Sequence, residues 1–499
     1  MELQFPKKTL TYLHLVKREI QSQEQTQELR IPEDKPDVGK ILGSWGQVLL
    51  RAKEWRDGEV VVSGGVMAGI LYQPEGENAA VQSVEAWIPF QIKCEIPITQ
   101  HDGSIRTIPL LRSVDARTTS ARKMIARVTV AVVLEAFTQS DLTVCQPPEL
   151  PEDVNLLVRK YPVMIPRECG EKTFEMDEEL TLPASCENPK QIVRFSFQPE
   201  TLDQKVLSGK VAFRGVGILH LLYLSETGNL CTWDFEVPFS RYAELDDVYE
   251  QEAQPIVIPV VTGLDLELNE DKFQLKAALT GQYMIFDRSE IELVQDAYSN
   301  LRQVETMNQM LELPVMLDRK LSSVSAEVSL DHNDMRIIDI AFYPDQPQLQ
   351  RNGETTRYAL SGQFHVLMCD EHQQLHGVVQ RWNENCELQT SSNVISYCVL
   401  LPSGLPRQTS VSGTVCVSGD MLLDTVCVIE EGMPMLCALE LGTERLPDGN
   451  RPNLIVRKMR DDSIWDIAKA CGSTVEAIWA VNHLESEPDP DRILLIPVQ

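Results

Sequence analysis

Residues 59–72 read EVVVSGGVMAGILY, and residues 210–223 read KVAFRGVGILHLLY. Both runs are rich in Val, Ile and Leu, apolar at nearly every position, and end in tyrosine. Such runs predict strands buried on both faces. They stand 151 residues apart, and their surroundings repeat with them. ELRIP (28–32) ends 40 residues before Tyr72, and ELTLP (179–183) ends 40 before Tyr223. Ile88-Pro89-Phe90 follows the first run, and Val237-Pro238-Phe239 follows the second. Order and spacing this regular mark a duplicated unit.

A third copy is more worn. QFHVLMC (363–369) takes the place of the tyrosine-ended run, with Cys369 where Tyr223 stood. Pro162-Val163-Met164 recurs 152 residues later as Pro314-Val315-Met316. The second unit closes with Asp296-Ala297-Tyr298-Ser299, and Glu135-Ala136-Phe137-Thr138 reads as a looser counterpart in the first. Turn residues punctuate the strands at Pro74-Glu75-Gly76, Glu226-Thr227-Gly228 and Pro402-Ser403-Gly404. Each unit is expected to be an all-β domain of two packed sheets, over 1–148, 149–306 and 307–445. One segment differs: Val294, Ala297, Tyr298, Leu301, Val304 and Met307 follow helical spacing. It predicts a helix over Leu293–Leu311 linking the second unit to the third.

The chain length agrees. At about 150 residues per domain, 499 residues predict three to four domains. Acidic residues outnumber basic ones 74 to 45, a net charge of −29. This argues against nucleic acid or an anionic membrane as main partner, since both need a basic surface. The N-terminus lacks the apolar core of a secretory signal, so export by that route is not expected. No stretch is long and apolar enough for a membrane span. The twelve cysteines form no CxxC pair, and several sit in apolar runs, as Cys416 and Cys427 do. They read as reduced thiols filling a core in a cytosolic protein.

Several constellations invite chemistry. Cys369-x-x-His372-x-x-x-His376 has zinc-ligand types but no evident fourth ligand, and reads as a solvated hairpin turn. Ser208-Gly209-Lys210 lacks the rest of a phosphate loop and is placed in a strand, as are the glycines at 64, 65 and 69. Glu244, Asp246, Asp247, Glu250 and Glu252 lack the spacing of a calcium loop and read as a solvated acidic segment. No catalytic motif appears, so no enzyme activity and no cofactor are expected.

After a Pro- and Gly-containing linker (446–452) the grammar changes. A strand at Leu454–Met459 precedes a helix at Ser463–Ala470, with Asp462 as the expected cap. Ser473-Thr474-Val475-Glu476 reads as a capping box opening a second helix that ends near Asn482. RILLIP (492–497) closes the module, giving strand–helix–helix–strand over 453–499. If Leu494 and Ile496 face the core, Ile493 and Leu495 face outward. That face suits partner contact, packing on the third β unit, or simple exposure. Trp465 and Trp479 read either as core or as part of the same contact.

The tyrosine-ended strand, the Pro-Phe pair and the closing Asp-Ala-Tyr-Ser resemble the SPOCS domain of spore-forming Firmicutes. Asp462–Lys469, Val475–Asn482 and Leu494-x-Ile496-Pro497 are similar to the signatures of a LysM domain, with Asp461 in place of the usual Gly and Pro490-Asp491-Arg492 in place of Pro-Gly-Gln. LysM domains generally bind N-acetylglucosamine chains of peptidoglycan or chitin. That resemblance puts Asp461, Asp462 and Ser463 on one side of the groove and Asn482, His483 and Leu484 on the other. The order of three SPOCS-like repeats and a LysM domain resembles the SipL-like spore-coat morphogenetic proteins. The resemblance implies a mother-cell scaffold at the forespore surface. There it would dock through LysM on the coat ATPase known as stage IV sporulation protein A. The alternative is a peptidoglycan-binding protein of the spore cortex or envelope.

Overall fold

The computed structural model describes residues 2–76, 80–97, 103–249, 253–311, 316–331, 335–352, 355–388, 394–411, 414–429, 432–444, 452–460, 462–489 and 491–498. The fold is mainly β. Its first part comprises β1 (Glu2–Gln4), β2 (Lys7–Arg30), β3 (Val38–Arg56), β4 (Glu59–Pro74), β5 (Gln82–Glu95), β6 (Gly103–Ser120) and β7 (Lys123–Cys145). Two antiparallel sheets, β3-β4-β5 and β2-β7-β6, enclose one core. The next six strands are β8 (Val154–Thr181), β9 (Pro189–Leu207), β10 (Lys210–Ser225), β11 (Leu230–Glu244), β12 (Gln254–Asn269) and β13 (Lys272–Ser299). They repeat the scheme as β9-β10-β11 against β8-β13-β12.

In the remainder, β14 (Arg302–Leu311) and β15 (Met316–Ser329) take the place of β8. They are followed by β16 (Arg336–Pro344), β17 (Gln348–Asn352), β18 (Thr355–Cys369), β19 (Leu375–Leu388), β20 (Val394–Val411), β21 (Thr414–Ile429) and β22 (Met433–Glu444). Here β18 pairs with β16, β17 and β19, facing β15-β21-β20. The last strand, β22, pairs with both β14 and β1, so the end of the β body is zipped to its beginning.

The repeated residues do the same work in the first two copies. Tyr72 and Tyr223 are fully buried, and each hydroxyl donates to a carbonyl 36 residues upstream, Pro36 O at 3.0 Å and Glu187 O at 3.1 Å. Pro89 and Pro238 lie on the edge strands β5 and β11, where a missing N–H costs no ladder bond. The neighbouring Phe90 and Phe239 rings turn inward over Gly64 and Gly215, their cross-strand partners. A Cβ at those glycines would stand 2.7 and 2.5 Å from the ring Cζ, so only glycine leaves room.

The units share cores. One cluster joins Leu42, Trp45 and Leu71 of the first unit to Val193, Leu222 and Leu224 of the second and Leu367 of the third. Another joins Phe5, Leu142 and Val144 to Ile165, Ile291 and Leu293 and to Met435 and Leu439. A third centres on Ile108, Met164, Ile258, Met284 and Val399. These seams are why β4 and β10 are apolar on both faces. Polar bridges cross them too: Gln282 donates to Thr107 O at 2.6 Å and accepts from Thr107 N at 3.0 Å. Arg194 pairs with Asp339, which His220 also contacts at 2.8 Å, tying the second unit to the third.

Four expectations need correction. Leu293–Leu311 is not a helix: it is the end of β13, a turn, and β14. A register shift between Val294 and Asp296 places Leu293 and Val294 inside together, while Ala297 and Tyr298 are buried on different cores. Consecutive burial of this kind imitates helical spacing. Leu301 and Met307 are exposed. Pro402-Ser403-Gly404 is no turn but a register shift within β20. Ser208-Gly209 is not in a strand; with φ of 46° and 76° it forms the two-residue turn between β9 and β10, as Asp57-Gly58 does between β3 and β4. Glu135–Thr138 is not the counterpart of Asp296–Ser299. Glu135 lies 12 residues after the start of β7 at Lys123, and Asp296 lies 24 after the start of β13 at Lys272.

Candidate functional site: the C-terminal module and its seat

The C-terminal module is β23 (Leu454–Lys458), α1 (Ile464–Cys471), α2 (Val475–Asn482) and β24 (Ile493–Pro497), with the two strands antiparallel. Of the linker 446–452, only Pro452 is among the described residues. The inner faces of α1, α2 and the sheet bury Ile464, Ile467, Ala468, Ile478, Leu494 and Ile496.

The caps differ from expectation by one residue each. Ser463, not Asp462, caps α1: its hydroxyl accepts from Asp466 N, and Asp466 reaches back to Ser463 N. Asp462 instead pairs with Arg457. Thr474, not Ser473, caps α2 by accepting from Ala477 N at 3.2 Å. Ser473 is fully buried and donates to Pro497 O. In both cases the residue with extended backbone directly before the first turn takes the cap, and its neighbour is drawn to a tertiary partner.

The seat is the end of β13, in the second unit and not the third. Trp465 Nε1 donates to Asp296 Oδ2 at 2.9 Å, and Lys469 Nζ reaches both oxygens at 2.7 and 2.9 Å. Tyr298 packs edge-on against the Trp465 ring, centroids 4.7 Å apart, and donates to Ser473 O at 2.9 Å. Burial first, and the nearby Glu476 and Asp296, push the Tyr298 hydroxyl up to about 12, so it stays a donor. The Asp296-Ala297-Tyr298-Ser299 motif is thus the module's seat. Trp465 is buried in that seam, and Trp479 is half-buried against the module core.

The groove residues are largely occupied. Asn482 donates to Ile478 O and Leu495 O at 2.8 and 2.6 Å and accepts from Leu495 N at 2.8 Å, lacing α2 to β24. His483, in left-handed conformation, ends α2, and Leu484 packs on the module core. Asp461 lies outside the described residues. The outer sheet face is different. Ile493 is 65% exposed and Leu495 38%, and Val456 and Leu454 on the same face are 64% and 49% exposed.

The other constellations are structural. Asp370 accepts from the backbone of His372 and Gln374 and contacts His376 Nε2 at 3.1 Å, closing the β18–β19 hairpin. Glu168 accepts from Asp246 N and the Tyr249 hydroxyl, so the acidic segment folds over the second unit; Glu250 and Glu252 lie outside the described residues. Among the described residues no group of three His, Cys, Asp or Glu could hold a metal ion, and no helix is long and apolar enough to cross a membrane.

Two family models match the chain. Residues 37–118, running from β3 into β6, match the model described as SipL, SPOCS domain. Residues 460–497 match the LysM domain. No curated protein and no solved structure matches. The chain therefore carries a sporulation-associated SPOCS domain of the SipL type and, at its other end, a LysM domain, the module type of peptidoglycan binding.

Proposed function

We propose that this chain is a non-enzymatic scaffold and adaptor of endospore coat assembly. It works in the mother-cell cytoplasm and joins the forespore surface when its LysM module docks on a coat morphogenetic protein, the ATPase known as stage IV sporulation protein A. The observation that carries this reading is the contrast between the module's two faces. Asn482, Ser463 and Asp462, which a glycan would have to engage, spend their polar groups inside the module. Leu454, Val456, Ile493 and Leu495 form an exposed aliphatic face on a module of under fifty residues. Apolar surface gains about 25 cal/mol per Å² on burial, which rewards a protein partner. The recurrence of one strand scheme supports reading the second and third β units as further SPOCS repeats. Their shared cores support a rigid body that presents the module from a fixed seat.

The LysM match itself favours a second reading, in which the ligand is peptidoglycan. Co-sedimentation of the full chain with purified peptidoglycan, beside pull-down of the ATPase, separates the two. Binding to the ATPase that falls at least tenfold with Ile493→Ser and Leu495→Ser supports docking. Retention on peptidoglycan with none on the ATPase replaces it with the second reading.

A further inference from the structure

The twelve cysteines are all free thiols, and Cys94, Cys145, Cys369, Cys398 and Cys416 are buried in cores. One pair is placed differently. Cys145, the last residue of β7, has its Sγ 3.3 Å from Sγ of Cys437 on β22. Cys145 closes the first unit and Cys437 lies in the last strand of the β body, 292 residues apart in the chain. The N-terminal strand runs between their elements: Lys7 pairs with Cys145 in the β2–β7 ladder, while Gln4 pairs with Ala438 in β1–β22. Phe5 N donates to Cys437 O at 3.0 Å and Gln146 N to Pro6 O at 2.8 Å. Both backbones are therefore held on the same stretch, and their thiols meet beside it.

We propose that Cys145 and Cys437 form a dithiol site for small-molecule disulfide oxidants, closing an internal cross-link that locks β22 onto the first unit. Cys437 is the entry sulfur. It is half-buried, 3.5 Å from Gln309 Oε1 at the surface, whereas Cys145 is 1% exposed. The Cys437 thiolate attacks one sulfur of the oxidant, forming a mixed disulfide and releasing one thiolate, which takes a proton. Cys145 then loses its proton and attacks Cys437 Sγ, displacing the second thiolate. One disulfide is reduced to two thiols, and two protein thiols become one disulfide. The sulfurs must approach to about 2.05 Å for the bond, a shift of little more than 1 Å from their present contact. In a reducing compartment the pair stays open, and it closes when the surroundings turn oxidising. The cross-link would restrain a very long loop in the unfolded chain, the case in which closure has most to offer stability.

The test uses the full chain titrated with oxidised glutathione, followed by alkylation and peptide mapping without reduction. The expected result is a Cys145–Cys437 peptide as the leading cross-link, with an upward shift in Tm that reductant reverses and Cys437→Ser abolishes. Mapping of the unsubstituted chain decides the matter even if Cys437→Ser fails to fold. Recovery of both as free thiols after other cysteines have reacted, a cross-link in a different pair, or the same Tm shift in Cys437→Ser overturns the proposal.

Discussion

Asp296→Ala should release the LysM module from the β body without unfolding either. Asp296 accepts the indole N–H of Trp465 at 2.9 Å and both contacts of Lys469. A hydrogen bond to a charged group contributes about 1.5–3 kcal/mol. The Trp465 ring is 8% exposed, so its N–H would be left buried and unpaired. The Lys469 contact adds little: the lysine side chain is 43% exposed and the carboxylate 27%, and such pairs contribute about 0–1 kcal/mol. The loss is therefore about 2–3 kcal/mol, set chiefly by the indole bond, which shifts docking roughly 30- to 150-fold. Tyr298→Phe removes one neutral hydrogen bond to Ser473 O and should cost only about 1 kcal/mol. Amide hydrogen exchange reads this directly. In Asp296→Ala, protection should fall in α1 and at the end of β13, while β4 and β10 stay protected. Unchanged exchange in α1 would refute the seat; loss of protection through β4 would show that Asp296 supports the body instead.

Other outcomes follow from named contacts. Burial disfavours the charged form of His220, but Asp339 and Asp234 outweigh it and raise its pKa to about 9. Arg194 and His220 hold Asp339 well below the usual carboxylate range despite burial. The raised histidine contributes fully below its ordinary 6.5 and loses that contribution as pH climbs through about 9. The Tm of the chain should therefore fall from pH 6.5 to 9 more steeply than that of His220→Gln; parallel curves would remove the histidine from the account. Asp339→Ala leaves Arg194 buried without its partner and should cost about 3–5 kcal/mol by denaturant unfolding. Asn482→Ala frees Leu495 N and O and should destabilise the LysM module by about 1–3 kcal/mol, seen as faster exchange in β24 with the β body unaffected. Gly215→Val would drive a Cβ to 2.0 Å from Glu200 O and 2.5 Å from Phe239, so a lowered Tm of the second unit is expected, and an unchanged one would contradict the close approach.

Local patterns in the chain were enough for the β class and the C-terminal strand–helix–helix–strand order. They also placed the outward Ile493 and Leu495, because a strand alternates its faces whatever surrounds it. The duplicated tyrosines and Pro-Phe pairs could be found by spacing alone, since each is satisfied within its own unit. What depends on partners distant in sequence was decided only by the tertiary structure. Leu293–Leu311 looked helical because Ala297 belongs to one core and Tyr298 to another. Asp462 and Ser473 looked like caps until Arg457 and Pro497 claimed them. The seat at Asp296, the hydrophobic clusters shared between units and the meeting of Cys145 with Cys437, 292 positions apart, all join residues distant in sequence. No local periodicity encodes such a meeting, for it exists only once the sheets have packed.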